Sequence, residues 1–210
     1  MNTLFRIIAW FTVVGGAISA IVYYTYADVW TVPMDDPRLL VSIEPTLRGQ
    51  DIVLVARHDP PSVGNLARCV DPDEPRRWVV GRVIGMSGNE VHLAGAGFTV
   101  AGSRETHDTA CDNQTLSDPA TGNDVPLVCR YSEFAGISYQ VLTRSGGDSD
   151  HPQDIKVPGG KVFLMSDNRS MHLDSRDFGP LPADSCRHVL FRLWGGTGFT
   201  DSTRRFTIIW

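Results

Sequence analysis

Residues 164–179 read LMSDNRSMHLDSRDFG, and the reading of this stretch governs that of the rest of the chain. The apolar run Lys161–Met165 passes into a segment that crowds Asp167, Asn168, Arg169, His172, Asp174, Ser175 and Arg176 ahead of Gly179. Acids, bases and amides at this density can satisfy one another. They predict a buried hydrogen-bonded network fed by a strand, because an unpaired charge inside a protein is too costly.

Outward from that segment, the chain has 210 residues, enough to bury one core with an insertion or two small ones. A hydrophobic fraction of 42% with 20 Gly and 13 Pro reads as globular and rich in turns. A net charge of −5 gives no basic footprint for nucleic acid. Short runs at 39–43, 51–56, 78–84, 90–93, 138–143, 161–165 and 189–194 carry Val, Ile, Leu or aromatic residues between turn formers, so each is expected as a strand. The class is mostly β. Residues 94–155 are more polar and read as an insertion between a first core half (38–93) and a second (156–210).

Residues Ile7–Tyr26 carry no charge over 20 positions, about the length of a membrane-spanning helix. Trp10 at one end and Tyr23, Tyr24 and Tyr26 at the other resemble interfacial aromatic belts. Arg6 precedes the run while Asp28, Asp35 and Asp36 follow it, which puts residues 1–6 in the cytoplasm and everything after the 27–37 linker outside. A cleaved signal peptide ending near Ala17 and Ser19 is the competing reading, but apolar residues continue well past that point. Four cysteines outside the cytoplasm favour disulfides, with three connectivities open. Cys111 with Cys129 is the first choice, because both lie in one polar region and close a short loop.

The 166–179 segment closely resembles the GDNR-x-x-S-x-DSR-x-x-G signature of type I signal peptidases, serine enzymes that remove export signals. Upstream, SIEPTL at 42–47 is similar to that family's S-M-x-P-T-L box, with Ser42 at the nucleophile. RWVVGRVIGMSGNEV at 77–91 resembles the K-R-x-x-G-x-P-G-D-x-V box. The resemblance implies a mostly antiparallel β core with a smaller β insertion. It also implies pairing of Arg82 with Asp167 and of Asp174 with Arg176. The implied partner is an export signal or propeptide, laid as a strand against Leu40, Val41, Ile43, Val80 and Gly81.

Three departures bear on chemistry. The family's catalytic lysine falls at Gly81, and the only lysines, Lys156 and Lys161, lie elsewhere. His172 stands where a serine normally contacts that lysine, so His172 is the candidate base, reaching into vacated volume with Asp174 or another carboxylate orienting it. A lysine base must be brought down from a pKa of ~10.4 at a cost of roughly 4–5 kcal/mol, whereas an imidazole needs no such shift. Leu40 replaces a serine that in many relatives donates to the oxyanion, and losing one donor typically costs ~2.7–4 kcal/mol. The first expectation is a membrane-anchored serine endopeptidase of a bacterial inner membrane. The second is a non-catalytic relative that binds export or pilin-like substrates, or partners a paralogue or export subunit. Neither expectation calls for a cofactor or a metal.

Overall fold

The computed structural model describes residues 3–146, 152–196 and 198–210, leaving aside the side chains of Leu4 and residues 22–24. The expectation for Tyr23 and Tyr24 therefore lies outside the described residues. The chain begins with helix α1 (Thr3–Thr25), strand β1 (Ala27–Thr31) and helix α2 (Pro37–Ile43). Strands β2 (Ile52–Ala56), β3 (Leu66–Val70) and β4 (Trp78–Met86) follow. Next come β5 (Glu90–Ala94), β6 (Gly97–Val100), β7 (Ser103–Arg104), β8 (Thr106–Ala110) and β9 (Gln114–Ser117). The chain continues through β10 (Asp124–Phe134), β11 (Ile137–Arg144), β12 (Gln153–Lys156) and β13 (Lys161–Met165). It closes with helix α3 (Ser175–Phe178), then β14 (Leu181–Pro182), β15 (Cys186–Trp194) and β16 (Thr207–Ile208).

The large antiparallel sheet has the order β1-β2-β15-β3-β4-β13-β14, with β16 also on β15. Next to its middle strand β3 lies β4, whose interior seven residues are all buried, because its two faces serve different apolar clusters. Val80 joins Leu39, Ile43, Val53 and Val55 on one side, while Val79 and Val83 join Leu164 and Leu181 on the other. A doubly covered strand reads as a near-continuous apolar run, and here only Arg82 interrupts it with a charge. Between β4 and β13 the chain builds two four-stranded sheets, β12-β5-β6-β7 and one in which β10 pairs with β8, β9 and β11. The strand at 90–94, assigned by sequence to the first core half, pairs within the former. The insertion has no core wholly to itself: Ile84, Phe163 and Met165 of the large sheet cluster with Val91, Phe98 and Tyr139.

One expected strand is corrected. Residues 39–43 form part of α2, not a strand. Asp36 caps the helix by accepting from the Leu39 N–H at 3.1 Å, and Pro37 at the first turn supplies a φ already suited to a helix. Leu39 and Ile43, four residues apart, then fall on one buried face.

Over the predicted span at 7–26 the structure forms α1, whose described side chains are mostly exposed, Trp10 and Phe11 among them. Among the described residues no helix is long and apolar enough to cross a membrane. On the large sheet, register aligns Val29, Leu54, Phe191 and Ile208 across four strands on the face away from the core, where Val29 and Ile208 are exposed.

Two disulfides are present. Cys111–Cys129 has the pairing preferred from sequence, and Cys69–Cys186 ties directly paired residues of β3 and β15. The second closes a loop of 117 residues against 18 for the first. Chain entropy then predicts unequal losses on removal: about 5 kcal/mol for Cys69→Ser with Cys186→Ser, and about 3 for the other pair. Guanidinium unfolding of the two double variants under non-reducing conditions measures the difference.

Candidate functional site

Ser42 lies in the last turn of α2. A helix of seven residues leaves its final carbonyls without intrahelical partners, and the 166–179 segment supplies them. The Asn168 side-chain amide donates to the Val41 carbonyl at 2.8 Å, and the Asn168 backbone N–H donates to the Ser42 carbonyl at 3.3 Å. Asn168 Oδ1 in turn accepts from Ser170 and Met171, which turns the loop toward His172. The serine-bearing turn is thus held by a residue more than a hundred positions away.

Behind this clamp lie buried ion pairs. Arg82 of β4 grips Asp167 in bidentate fashion, Nε to Oδ1 at 3.0 Å and Nη2 to Oδ2 at 2.8 Å, with both side chains essentially inaccessible. Its Nη1 donates to the carbonyls of Gly64 and Trp210, and its guanidinium stacks 3.8 Å from the Tyr139 ring centroid. Asp167 also accepts from the Thr46 hydroxyl. Arg169 is equally buried and pairs with Glu105, which also accepts from the Tyr139 hydroxyl at 2.7 Å. Burial disfavours the charge on Arg169, but the Glu105 carboxylate more than offsets it and holds the guanidinium protonated. Burial, aided by Glu105, pushes the Tyr139 phenol well above its ordinary range.

Arg176 forks onto Asp174, Nε to Oδ1 at 3.0 Å and Nη2 to Oδ2 at 2.8 Å, as the resemblance implied. Asp174 also accepts from the Ser166 N–H and caps α3 in a reciprocal box with Asp177, while Ser175 Oγ accepts from the Leu164 N–H. The short helix ends at Gly179, whose φ of 73° explains the glycine. Burial raises the Asp174 pKa, but the Arg176 charge and its hydrogen bonds, with the Ser166 N–H, outweigh this and hold it at about 2.

The two expected catalytic residues are differently engaged. Ser42 is fully buried, and its hydroxyl donates to the Leu39 carbonyl at 2.9 Å, the local bond usual for a serine inside a helix. His172 is partly exposed, and its Nδ1 lies 2.9 Å from Asp177 Oδ2. Asp177 therefore faces the imidazole at Nδ1, with Asp174 also close by. His172 and Val41 line one cleft of about 270 Å³ with Met171, so the imidazole and the residue before Ser42 share a wall.

The vacated volume expected at Gly81 is closed. A Cβ there would lie 3.1 Å from both the carbonyl carbon and oxygen of Met165 and 3.3 Å from Leu164 Cβ, on the neighbouring strand β13. Of the expected peptide-binding residues, Ile43, Val80 and Gly81 are buried, Leu40 is partly buried against the same core, and only Val41 reaches the cleft. With a helix leading to Ser42, no strand is present there for a peptide to join.

Two carboxylates were missed by sequence reasoning. Glu105 sits in the insertion with no motif around it; Asp177 had one signal, its position three residues after the Asp174 cap. His172, Asp174 and Asp177 offer ligand atoms within 4.8 Å of one another, the spacing of a cation site. Both oxygens of Asp174 are already taken by Arg176 and Ser166.

A family model described as signal peptidase, peptidase S26, matches residues 7–194. No curated protein matches the chain.

Two outcomes follow from this geometry. Because the folded pKa of Asp174 lies below its unfolded value near 4, its contribution of about 2 kcal/mol is full above pH 4 and lost as pH falls toward 2. Acid unfolding followed by circular dichroism should show this limb in the wild type and a flatter one in Asp174→Asn. Gly81→Ala should cost about 1–3 kcal/mol through overpacking against Met165, measurable by thermal unfolding.

Proposed function

This chain belongs to the signal peptidase family, whose members are serine peptidases, and from that premise we propose that it cleaves the signal segments of exported preproteins at Ser42. The supporting observation is an imidazole coupled to a carboxylate beside the serine-bearing helix: His172 meets Asp177 and shares a cleft with Val41. In this reading His172 takes the proton of Ser42 while Asp177 orients the ring and stabilises the imidazolium. The serine oxygen attacks the scissile carbonyl, the leaving amine takes the proton, and water hydrolyses the acyl-enzyme. The Ser42 hydroxyl must first turn from the Leu39 carbonyl into the cleft, a movement of the last turn of α2 driven by substrate binding.

The proposal includes an anchor in a bacterial inner membrane, with the main domain outside the cytoplasm. Its support is the uncharged run at 7–26, the exposed apolar side chains of α1, and the apolar row from Val29 to Ile208 on the sheet that α1 enters. Enzyme and substrate would then meet in two dimensions, which raises their effective concentration.

A second reading is favoured by two observations: the Ser42 hydroxyl is buried and already bonded, and the family's lysine position is Gly81, where even a Cβ would press on Met165. In it the chain binds export or pilin-like substrates, or partners an active paralogue, without cutting.

Preprotein cleavage by the full chain in detergent micelles separates the two. The peptidase reading expects cleavage by the wild type and a loss of about 10³-fold or more in both Ser42→Ala and His172→Ala. An intact preprotein after incubation with folded wild type rejects that reading in favour of the second, and an undiminished rate in His172→Ala removes the histidine from the chemistry.

A further inference from the structure

We propose that the cleft beside α2 seats an acidic side chain of an extended peptide, held by Arg38 and Arg144. The inference rests on the reading that this site receives signal segments, and it names what such a segment must carry. It does not depend on whether the segment is cut.

The cleft, about 270 Å³, is bounded by α2, the turn at 118–120, the end of β11 and the loop at 170–172. This is room for one side chain, not for a folded domain. Its floor is apolar, with Val41, Met171 and Pro119, and suits the methylene stem of an acidic residue. Its rim is cationic. Arg38 stands exposed on the first turn of α2, with no ion-pair partner among the described residues. Arg144 faces Asp118 at 3.9 Å, the outer limit of an ion pair, with its side chain about half exposed. The backbone of Arg144 is fixed, because its N–H donates to Ser170 Oγ at 2.7 Å. Asp118 is held in its own turn, with Oδ1 accepting from the Ala120 N–H at 2.9 Å.

Two guanidinium groups and one carboxylate therefore line the cleft, and at 3.9 Å that carboxylate pairs only loosely with Arg144. An incoming carboxylate would complete the set, since guanidinium and carboxylate form short, directional, charge-assisted bonds. The flanking residues of a bound peptide also have a course to follow. A second cleft of about 440 Å³ shares Asp118 and Arg144 with the first and runs on past Asp124, Val125 and Pro126. The Arg144–Asp118 pair stands at the junction, where an acidic side chain would exchange with Asp118. Small apolar residues alone would leave both arginines unmatched, so a charge adds a second criterion to side-chain size.

The test is binding, read by fluorescence anisotropy with the full chain carrying Ser42→Ala in detergent micelles. The probes are short, C-terminally amidated peptides that span a signal cleavage junction and differ only in Asp, Asn or Lys at one scanned position. At one position the Asp peptide should bind about tenfold tighter than the Asn peptide, with Lys weakest, and the preference should shrink with added salt. The double variant Arg38→Glu with Arg144→Glu should invert the order and favour Lys. Equal affinities for the three peptides at every position overturn the inference, as does an unchanged order in the double variant. Binding of none of the peptides overturns the peptide-recognition reading on which it rests.

Discussion

The buried pair of Arg82 and Asp167 is the constraint on which the rest of the site depends. Arg82 comes from β4 and Asp167 from the segment just past the end of the neighbouring β13, and neither charge meets water. Removing one partner of such a pair typically costs about 3–5 kcal/mol, because the other is left charged in a poorly polarisable interior. The pair is tolerable here because its remaining capacity is filled: Thr46, Gly64 and Trp210 supply partners, and Tyr139 offers its ring face. Through Thr46 and Asn168 the same pair sets the position of both sides of the Ser42 turn.

Much of this was legible in the residues, but unevenly. The pairings of Arg82 and Arg176 followed from motif resemblance, and continuous apolar runs gave the buried strands correctly, as at 161–165. The helix at 37–43 was misread because its apolar run is as short as a strand; Asp36 and Pro37, a cap and a helix-starting proline, were the overlooked signal. Strand β10 escaped because Pro126, Arg130 and Glu133 interrupt its apolar residues, although its burial alternates along much of its length. Glu105 could not have been found: a lone acid in a polar stretch acquires meaning only when folding brings Arg169 to it.

The site itself shows where local spacing stops being informative. A missing lysine side chain suggests an empty space, yet the fold closes it, with the Met165 backbone against Gly81. Glycine there serves close strand approach as much as it marks an absent base. Similarly, sequence left open which carboxylate stands beside His172, and the hydrogen bond goes to Asp177, three residues beyond Asp174. In both cases the distinction lies in packing directions, which a one-dimensional pattern does not carry.

The strand order has a temporal consequence. Strand β15, from the last quarter of the chain, lies between β2 and β3, and Ile209 near the C-terminus joins the cluster that holds Leu39 and Ile43. A polypeptide emerging from its N-terminus cannot assemble this sheet until β15 has been made. Throughout that interval the part of the sheet that holds β1 and β2 lacks the strand that joins it to β3 and β4. Long-range pairing of this kind makes folding slow, so the two halves of the sheet meet late.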